Sequence, residues 1–373
     1  MEDVVRKLAS IQKIVDIQPI PGYDKVEMAT TLGWKCIVKK YTFNVGDLCV
    51  YIEPDSQLYP HEIWDEFLAK RKWRIRTMRM CKVISQGLII PIDSVEKLKP
   101  KAKYKLKEGF DLTDILDVTH FEKGKMSEEG SKKYSKKRGP VLKFLLKFHI
   151  FRKIWVMFNG SDLQFDFPKH LVKETNETNI QAMPNFITRN RDKEMYSTEK
   201  LEGQNGNYIL SKNGRKTIYS VCSHHRTLPN KNNSSWWTIS DKYSMEKILR
   251  DYHRVTGDFL AIQGEIVGDG IQKNIYKIDG YDFYVFSIKV IKTGHYFTLD
   301  QKMEFCKIYG LKLVPVVNAS FVFTQSTDVD DIMEMSNGTS VLYNTAREGI
   351  VIRRVDDDTI SIKARSPKYL IKQ

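Results

Sequence analysis

The chain has 373 residues, of which 41% are hydrophobic and 28% charged, a composition typical of a globular protein with room for two hydrophobic cores. Its formal net charge of +14 indicates a polyanionic partner, since clustered Lys and Arg bind phosphates by releasing counterions. No apolar run reaches the ~18 residues of a membrane-spanning helix, and the acidic start Met1-Glu2-Asp3 is unlike a signal peptide. We therefore expect a soluble cytoplasmic protein without a membrane partner. The five scattered cysteines lack a C-x-x-C pair, which predicts mostly buried thiols and neither a disulfide nor a zinc site.

Residues 1–115 predict a small β-barrel. Short β-branched and aromatic runs are separated by turn signals such as Pro21-Gly22 and Ser85-Gln86-Gly87. The predicted strands are Ala9 to Ile17, Trp34 to Lys40, Leu48 to Ile52 and Met78 to Ile90.

A basic segment within this region predicts nucleic-acid contact. Residues 70–79 hold six cations and one tryptophan, a pattern suited to phosphate contacts combined with base stacking. The alternative is a solvated basic loop. The candidate RNA-binding residues are Arg71, Lys72, Trp73, Arg74 and Arg76.

Residues 116–164 form a predicted basic linker or insert. Within it, residues 121–153 carry eleven Lys or Arg against three acidic residues, a net +8 of the chain's +14. The first part has a linker's composition, and Val141 to Trp155 could form a basic amphipathic helix. Such a helix could pack on a neighbouring domain, on RNA or on a membrane.

Residues 165–373 predict an α+β domain built on antiparallel sheet. Two segments have helical patterns, Ser244 to Val255 and Leu299 to Tyr309. The predicted strands are Asn207 to Leu210, Thr217 to Ser220, Phe259 to Val267, Phe283 to Val290, Gly349 to Arg353 and Thr359 to Ala364.

Lys200 carries the strongest chemical signal. It is flanked by the carboxylates of Glu199 and Glu202 and followed by small and amide residues, which suits an amine that attacks phosphorus and holds a nucleotide covalently. Taken alone, this segment is more typical of a surface lysine in a polar hairpin.

Four later segments place functional side chains at the ends or along the faces of predicted strands. Glu265 lies next to Gly264, Glu348 directly precedes an apolar strand, and Phe286 lies in an aromatic strand. Lys363 and Arg365 are two residues apart, so both project from the same face of a strand.

The order of these segments resembles the covalent nucleotidyltransferase superfamily of ATP-dependent ligases and mRNA-capping enzymes. Lys200-Leu201-Glu202-Gly203 is similar to its K-x-D-G nucleophile motif, Glu265 to the third motif and Phe286 to the aromatic motif. Glu348-Gly349 is similar to the fourth motif and Lys363-Ala364-Arg365 to the fifth, K-x-K.

The resemblance is greatest to RNA ligases with an N-terminal OB domain, typified by those of Naegleria and Deinococcus. It rests on Pro21-Gly22-Tyr23-Asp24 and Ile84 to Leu88 in the first domain, and on Phe167 to Gln181 before the nucleophile. It implies an OB-like β-barrel followed by an antiparallel-sheet adenylyltransferase domain of the ATP-grasp-like ligase type.

The resemblance also implies an activity, an ATP-dependent RNA ligase that works through a covalent lysyl-AMP intermediate. ATP would donate AMP to Lys200, and Glu348 with Glu202 would hold Mg²⁺ or Mn²⁺. Lys363 and Arg365 would bind the phosphates, and a nearby Lys363 charge would lower the Lys200 pKa. The remaining nucleotide contacts would be Gly203, Arg226, Glu265 at the ribose and Phe286 stacked on adenine. RNA ends, above all nicks in duplexes, would be the substrate, and we expect a monomer.

The chain departs from the family pattern at three places. Glu202 replaces the usual Asp, and Arg365 replaces a lysine. His224-His225-Arg226 stands where an Arg-Asn pair is typical, which leaves Arg226 as the candidate cation. A DNA ligase, a capping guanylyltransferase and a noncatalytic RNA-binding relative remain as alternatives, although the first two usually carry their OB domain after the fifth motif.

Overall fold

The computed structural model describes residues 6–121, 165–228 and 233–372. They form an N-terminal domain of short strands and a C-terminal domain with two larger sheets. The amphipathic helix proposed for Val141 to Trp155, and nearly all of the basic insert, lie outside the described residues. No helix in the described ranges is long and apolar enough to cross a membrane.

The N-terminal domain is built on a five-stranded sheet with the order β3-β2-β1-β4-β8. All of its pairings are antiparallel. Its strands are β1 (Ala9–Ile20), β2 (Tyr23–Thr31), β3 (Trp34–Lys39), β4 (Leu48–Ile52), β5 (Ser56–Gln57), β6 (Thr77–Met80), β7 (Val83–Gln86), β8 (Leu88–Pro91) and β9 (Thr119–His120). Its helices are α1 (Glu62–Leu68), continued by a 3-10 turn (Ala69–Arg71), and α2 (Ser94–Leu98).

Side-chain contacts curl this sheet towards a barrel. The Ile37 N–H on β3 donates to Ser85 Oγ on β7 at 3.1 Å, so the two strands lie against each other. The core beneath contains the fully buried Trp64 and Ile11, together with Leu112 and Leu116.

The first core extends beyond residue 115, where the sequence placed the domain boundary. Val118 is buried, and β9 pairs with β5 through Ser56 and His120. We therefore propose that this domain reaches at least Phe121, whose N–H donates to Asp55 O.

The C-terminal domain contains a seven-stranded and a four-stranded sheet, ordered β10-β14-β13-β12-β15-β16-β17 and β18-β11-β19-β20. Only the β16–β17 pairing is parallel within these two sheets. The strands are β10 (Phe165–Asp166), β11 (Glu194–Lys200), β12 (Gln204–Asn213), β13 (Lys216–Cys222), β14 (Arg226–Thr227), β15 (Leu260–Gly268), β16 (Tyr281–Val290), β17 (Lys312–Leu313), β18 (Val316–Val322), β19 (Gly349–Arg354) and β20 (Ser361–Arg365).

Short helices cover these sheets. The helix Leu299–Tyr309 begins with a capping box formed by Thr298 and Gln301, and Gly310 in a left-handed conformation ends it. The helices are a 3-10 turn (Ile180–Ala182), α3 (Asn185–Arg189), α4 (Ser235–Lys242), α5 (Met245–Thr256), α6 (Leu299–Tyr309), α7 (Val329–Ser336) and α8 (Pro367–Leu370).

The α+β fold and the main elements agree with the sequence predictions. The two predicted helices correspond to α5 and α6, and the six predicted strands of the C-terminal domain correspond to β12, β13, β15, β16, β19 and β20. Strand β2 was missed because Tyr23–Thr31 is largely polar and only part of it is buried. Four of the five cysteines are buried, as predicted.

The two domains meet at Gly33. Its N–H donates to Gln181 O at 2.8 Å, and a Cβ on this residue would lie 2.9 Å from Gln181 Cα. A side chain here would therefore force the domains apart. The buried amide of Gln181 also donates to Gln86 Oε1 at 2.8 Å, which fixes β7 of the N-terminal domain against the segment leading to Lys200.

Candidate active site

Lys200 is the last residue of β11, where the chain leaves the smaller sheet for the larger one. It pairs with Gly349 across the ladder, which puts Glu348 beside it. The Lys200 Nζ lies 2.8 Å from Glu348 Oε1, and the lysine side chain is only 26% exposed. This geometry argues against a surface lysine and joins the predicted nucleophile to a predicted metal ligand.

Glu265 reaches the same junction from the larger sheet. It lies on β15 opposite Asn205 of β12, and Gly203 lies just before β12. A Cβ on Gly203 would lie 2.4 Å from Ile266 O and 2.7 Å from Glu265 Cγ. The glycine is therefore required for close packing against Glu265.

Lys363 and Arg365 project from β20 into this region, as their spacing predicted. The Lys363 backbone N–H donates to Thr178 O at 2.9 Å, which ties the strand to the segment before the nucleophile. Arg365 Nε lies 3.3 Å from the same Glu348 oxygen that Lys200 contacts. Glu348, 7% exposed, is thus shared by two cations.

The electrostatics of the amines correct one expectation. Burial, and after it the charge of Lys200, lower the pKa of Lys363 to about 8. Burial and the repulsion of Arg365 would also lower the pKa of Lys200. The attraction of Glu348 and Glu265 outweighs both effects, so the pKa of Lys200 is raised. The expected lowering of the Lys200 pKa was therefore wrong, since the two carboxylates dominate its surroundings.

Burial, followed by the charge of Glu348, raises the pKa of Glu265 to about 8 despite the nearby Lys200. Between its ordinary pKa of 4.5 and about 8, the folded protein holds a proton that the unfolded chain has released. This carboxyl group therefore lowers the stability of the folded protein progressively as pH rises through that window. Glu265→Gln should reduce the fall in melting temperature between about pH 5 and about pH 8.

Thermal unfolding followed at several pH values checks this expectation. Glu246→Gln is a matched control, because Glu246 lies on the exposed side of α5. Equal pH slopes for the wild type and Glu265→Gln would contradict the assignment.

Phe286 lies at a β-bulge. Gln263 pairs with Ser287 and Gly264 with Val285, so Phe286 is the extra residue on β16. A bulge re-aims a side chain, and here Phe286 packs with Leu201, the residue after the nucleophile. Phe286 itself is partly buried.

Glu202 is held two residues beyond the nucleophile. Its backbone N–H donates to the Tyr276 hydroxyl at 2.7 Å, and the residue is 6% exposed. Glu199 and Glu202 are buried carboxylates close to Lys200 in the chain, and Glu348 is a buried carboxylate beside it in the ladder. A donor set of carboxylate oxygens fits Mg²⁺ or Mn²⁺, which keep several waters and need few protein ligands.

The turn after β13 points to a different residue from the one predicted. Arg226 lies exposed on β14, whereas His224 is partly buried and its Nε2 has no hydrogen-bond partner among the described residues. Burial, then the neighbouring His225, lower the pKa of His224, and the charges of Glu177 and Lys363 also act on it. We therefore consider His224 a better candidate than Arg226 for this side of the site.

The sequence did not indicate Glu177 and Arg353 as part of the site. Arg353 Nη2 lies 3.0 Å from Glu177 Oε1, and both side chains are largely buried. Burial raises the pKa of Glu177, but the charge of Arg353, followed by those of Lys363 and Lys200, outweighs burial and lowers this pKa. The charge of Arg353 at the end of an otherwise apolar strand is the sequence feature that could have indicated this pair.

The predicted RNA-binding loop divides into two groups. Trp73 packs on the N-terminal core and donates its indole N–H to Asp65, so it is not the freely exposed stacking platform expected. Arg74 contacts Asp55 and lies 3.8 Å above the Phe121 ring centroid. Of the predicted RNA-binding cations, three are exposed, namely Arg71, Lys72 and Arg76.

Comparison with known families gives matches in both domains. The model described as an OB-fold domain matches residues 8–92, and the model described as RNA ligase matches residues 193–370. No curated protein sequence matches the chain significantly.

Solved structures match nearly the whole chain. The RNA ligase of Naegleria gruberi with PPi is 28% identical, with a TM-score of 0.78 over 99% of both chains. An apo mutant of that enzyme gives the same identity and TM-score, over 99% of this chain and 98% of the other. A further mutant, solved with ATP and Mn, is 28% identical with a TM-score of 0.78 over 99% of both chains. Over nearly its whole length the chain is therefore similar to RNA ligases, with an OB-fold domain in front of its ligase domain.

Proposed function

We propose that this protein is an ATP-dependent RNA ligase that joins a 3′-OH to a 5′-phosphate, chiefly at nicks in duplexes, through a lysyl-AMP intermediate. The observation that carries this proposal is the position of Lys200, 2.8 Å from Glu348 and paired with β19, whose other neighbour β20 bears Lys363 and Arg365. Naegleria gruberi RNA ligase structures containing ATP, AMP and Mn support the nucleotide and the metal.

In the first step, Lys200 Nζ loses a proton and attacks the α-phosphorus of ATP. The N–P bond forms as the bond to the departing pyrophosphate breaks. Such transfers depend on positioning and charge neutralisation, which Lys363 and Arg365 provide from β20. Glu348 and Glu202 would hold a divalent metal that neutralises phosphate charge.

Other groups orient the nucleotide. The carboxyl group of Glu265 would accept hydrogen bonds from the ribose hydroxyls, and Phe286 would stack on adenine. His224 would complete the polar side of the pocket in place of the family's arginine. The RNA 5′-phosphate then displaces Lys200 from AMP, and the 3′-OH attacks the activated 5′-phosphorus to release AMP.

Labelling the protein tests this function. With α-labelled ATP and Mg²⁺, we expect a covalent adduct that is lost on addition of a nicked RNA duplex, with sealing of the strand. Preference for GTP would favour a capping enzyme, and sealing confined to DNA nicks would favour a DNA ligase. Failure to form an adduct with either nucleotide would favour a noncatalytic RNA-binding relative.

We also propose that the protein acts as a monomer, which light scattering on the purified protein tests.

The exposed cations of the loop should contribute to RNA affinity. A triple variant with Ala in place of Arg71, Lys72 and Arg76 should bind nicked duplexes more weakly. The slope of log affinity against log salt concentration should also become shallower by roughly one unit for each phosphate that the variant no longer binds. The same changes at Lys212, Arg215 and Lys216, exposed at the β12–β13 hairpin, are the matched control. Equal decreases in affinity for the two triple variants, measured by titration at several salt concentrations, would contradict this RNA-binding face.

A further inference from the structure

Asp55 of the OB domain joins two arginines from different domains. Its Oδ2 lies 2.8 Å from Arg365 Nη1, and its Oδ1 lies 2.9 Å from Arg74 Nη2. Its backbone is also fixed, since Asp55 N–H donates to Ile75 O at 2.9 Å and Asp55 O accepts from Phe121 N–H at 2.8 Å. The carboxylate is therefore held at the domain boundary in one orientation.

Asp55 is the outer member of a line of charges that ends at the nucleophile. Arg365 contacts Asp55 through Nη1 and lies 3.3 Å from Glu348 Oε1 through Nε. That same glutamate oxygen lies 2.8 Å from Lys200 Nζ. Four residues from two domains thus form one alternating series of negative and positive groups.

The two carboxylates compete for one guanidinium. Arg365 can form a bidentate pair with a single carboxylate, because its donors form a planar fork. The bond to Asp55 turns one donor away from Glu348. Burial opposes the ionisation of Asp55, but the attraction of Arg365 and hydrogen bonds from both arginines overcome it and lower the pKa to about 2. Asp55 is therefore ionised at neutral pH.

We propose that Asp55 is a positioning residue for nucleotidyl transfer, contributed by the OB domain. It holds Arg365 at the phosphate side of the site and prevents this arginine from pairing fully with Glu348. Glu348 then stays available for the metal and for Lys200. This inference rests on the function proposed above.

Arg74 extends the same contact to the RNA-binding side. Its guanidinium shares Asp55 with Arg365 and belongs to the loop that presents Arg71, Lys72 and Arg76. An RNA strand bound to this loop would therefore be connected to Arg365 through a single residue, Asp55.

Adduct formation by full-length Asp55→Asn tests the proposal. We expect a roughly tenfold or greater decrease in rate at limiting Mg²⁺, because a charge-assisted hydrogen bond to Arg365 is removed. The rate should be partly recovered at high Mg²⁺, because the metal then competes with Arg365 for Glu348. The half-saturating Mg²⁺ concentration should rise, while weaker domain docking alone would leave it unchanged. Asp55→Glu, which keeps the charge, should restore part of the activity.

A second pair between the domains provides the control. Lys35 and Asp330 also bridge the two domains, but at an exposed surface away from Lys200. Asp330→Asn should therefore keep the wild-type rate and Mg²⁺ dependence. In an Arg365→Met background, Asp55→Asn should have no further effect.

Three results would overturn the inference while leaving the proposed function intact: a wild-type Mg²⁺ dependence in Asp55→Asn, an equal defect in Asp330→Asn, or a full additional decrease in rate in the Arg365→Met background. If Asp55→Asn does not fold, as judged by its melting temperature, Asp55→Ser, which also removes the charge, decides through the same Mg²⁺ titration, and a wild-type response overturns the inference. Absence of any adduct in the wild type would overturn both proposals.

Discussion

Lys200→Ala should reduce the transfer of AMP from α-labelled ATP to the protein to background. The variant lacks the amine that forms the N–P bond. Lys200→Arg should be equally inactive in this assay, because a guanidinium does not lose its proton at working pH. Gel detection of the labelled protein after incubation with ATP and Mg²⁺ measures both variants.

Lys212→Ala is the matched control for this experiment. Lys212 lies exposed on β12 of the same domain, so its removal should leave labelling unchanged. A labelled adduct on Lys200→Ala that survives denaturation would contradict the assignment of the nucleophile.

Asp358→Ala should destabilise the folded protein by about 3–5 kcal/mol, the usual cost of removing one partner from a buried ion pair. Asp358 Oδ1 lies 2.7 Å from Lys302 Nζ, and both side chains are only 2% exposed. The Tyr196 hydroxyl donates to the same carboxylate, and Arg353 Nε lies 3.8 Å from its other oxygen. This network joins α6 to β11 and β19, which carry the site.

The pH dependence of this destabilisation tests whether it arises from the unpaired charge of Lys302. Burial already lowers the pKa of Lys302 to about 8 against the attraction of Asp358, and removal of Asp358 lowers it further. The lysine can then become neutral, so the destabilisation should shrink as pH rises. Chemical denaturation at neutral and alkaline pH measures the change.

Asp356→Ala serves as the control, because its ion pair with Arg354 is solvent-exposed on the aspartate side. Exposed pairs contribute about 0–1 kcal/mol, so little change is expected. The double variant Lys302→Met, Asp358→Leu should recover much of the stability, because it leaves no unpaired charge. A loss of stability in Asp358→Ala no larger than that in Asp356→Ala would contradict a stabilising role of the buried Lys302–Asp358 pair.

The sequence was most informative where structure depends on local pattern. The spacing of Lys363 and Arg365 placed both on one face of a strand, and the glycines around Glu265 indicated close approach. The helical pattern of Leu299 to Tyr309, which forms α6, is likewise local. These features need only the periodicity of the chain and the conformational freedom of glycine.

Other features depend on partners far along the chain. Asp55 meets Arg365 only after the domains dock, and Trp73 becomes a core residue because α1 supplies Asp65 and an apolar surface. The raised Lys200 pKa likewise reflects Glu348 and Glu265, which are brought together by two different sheets. Sequence spacing carries no information on which charge will dominate such a site.

Mass spectrometry of the intact protein and its peptides tests the central claim most directly. After incubation with ATP and Mg²⁺, the account predicts one AMP per chain, located on Lys200 and released on addition of a nicked RNA duplex as the strand is sealed. AMP on a different residue, or an adduct on Lys200 that no RNA end can discharge, would contradict it.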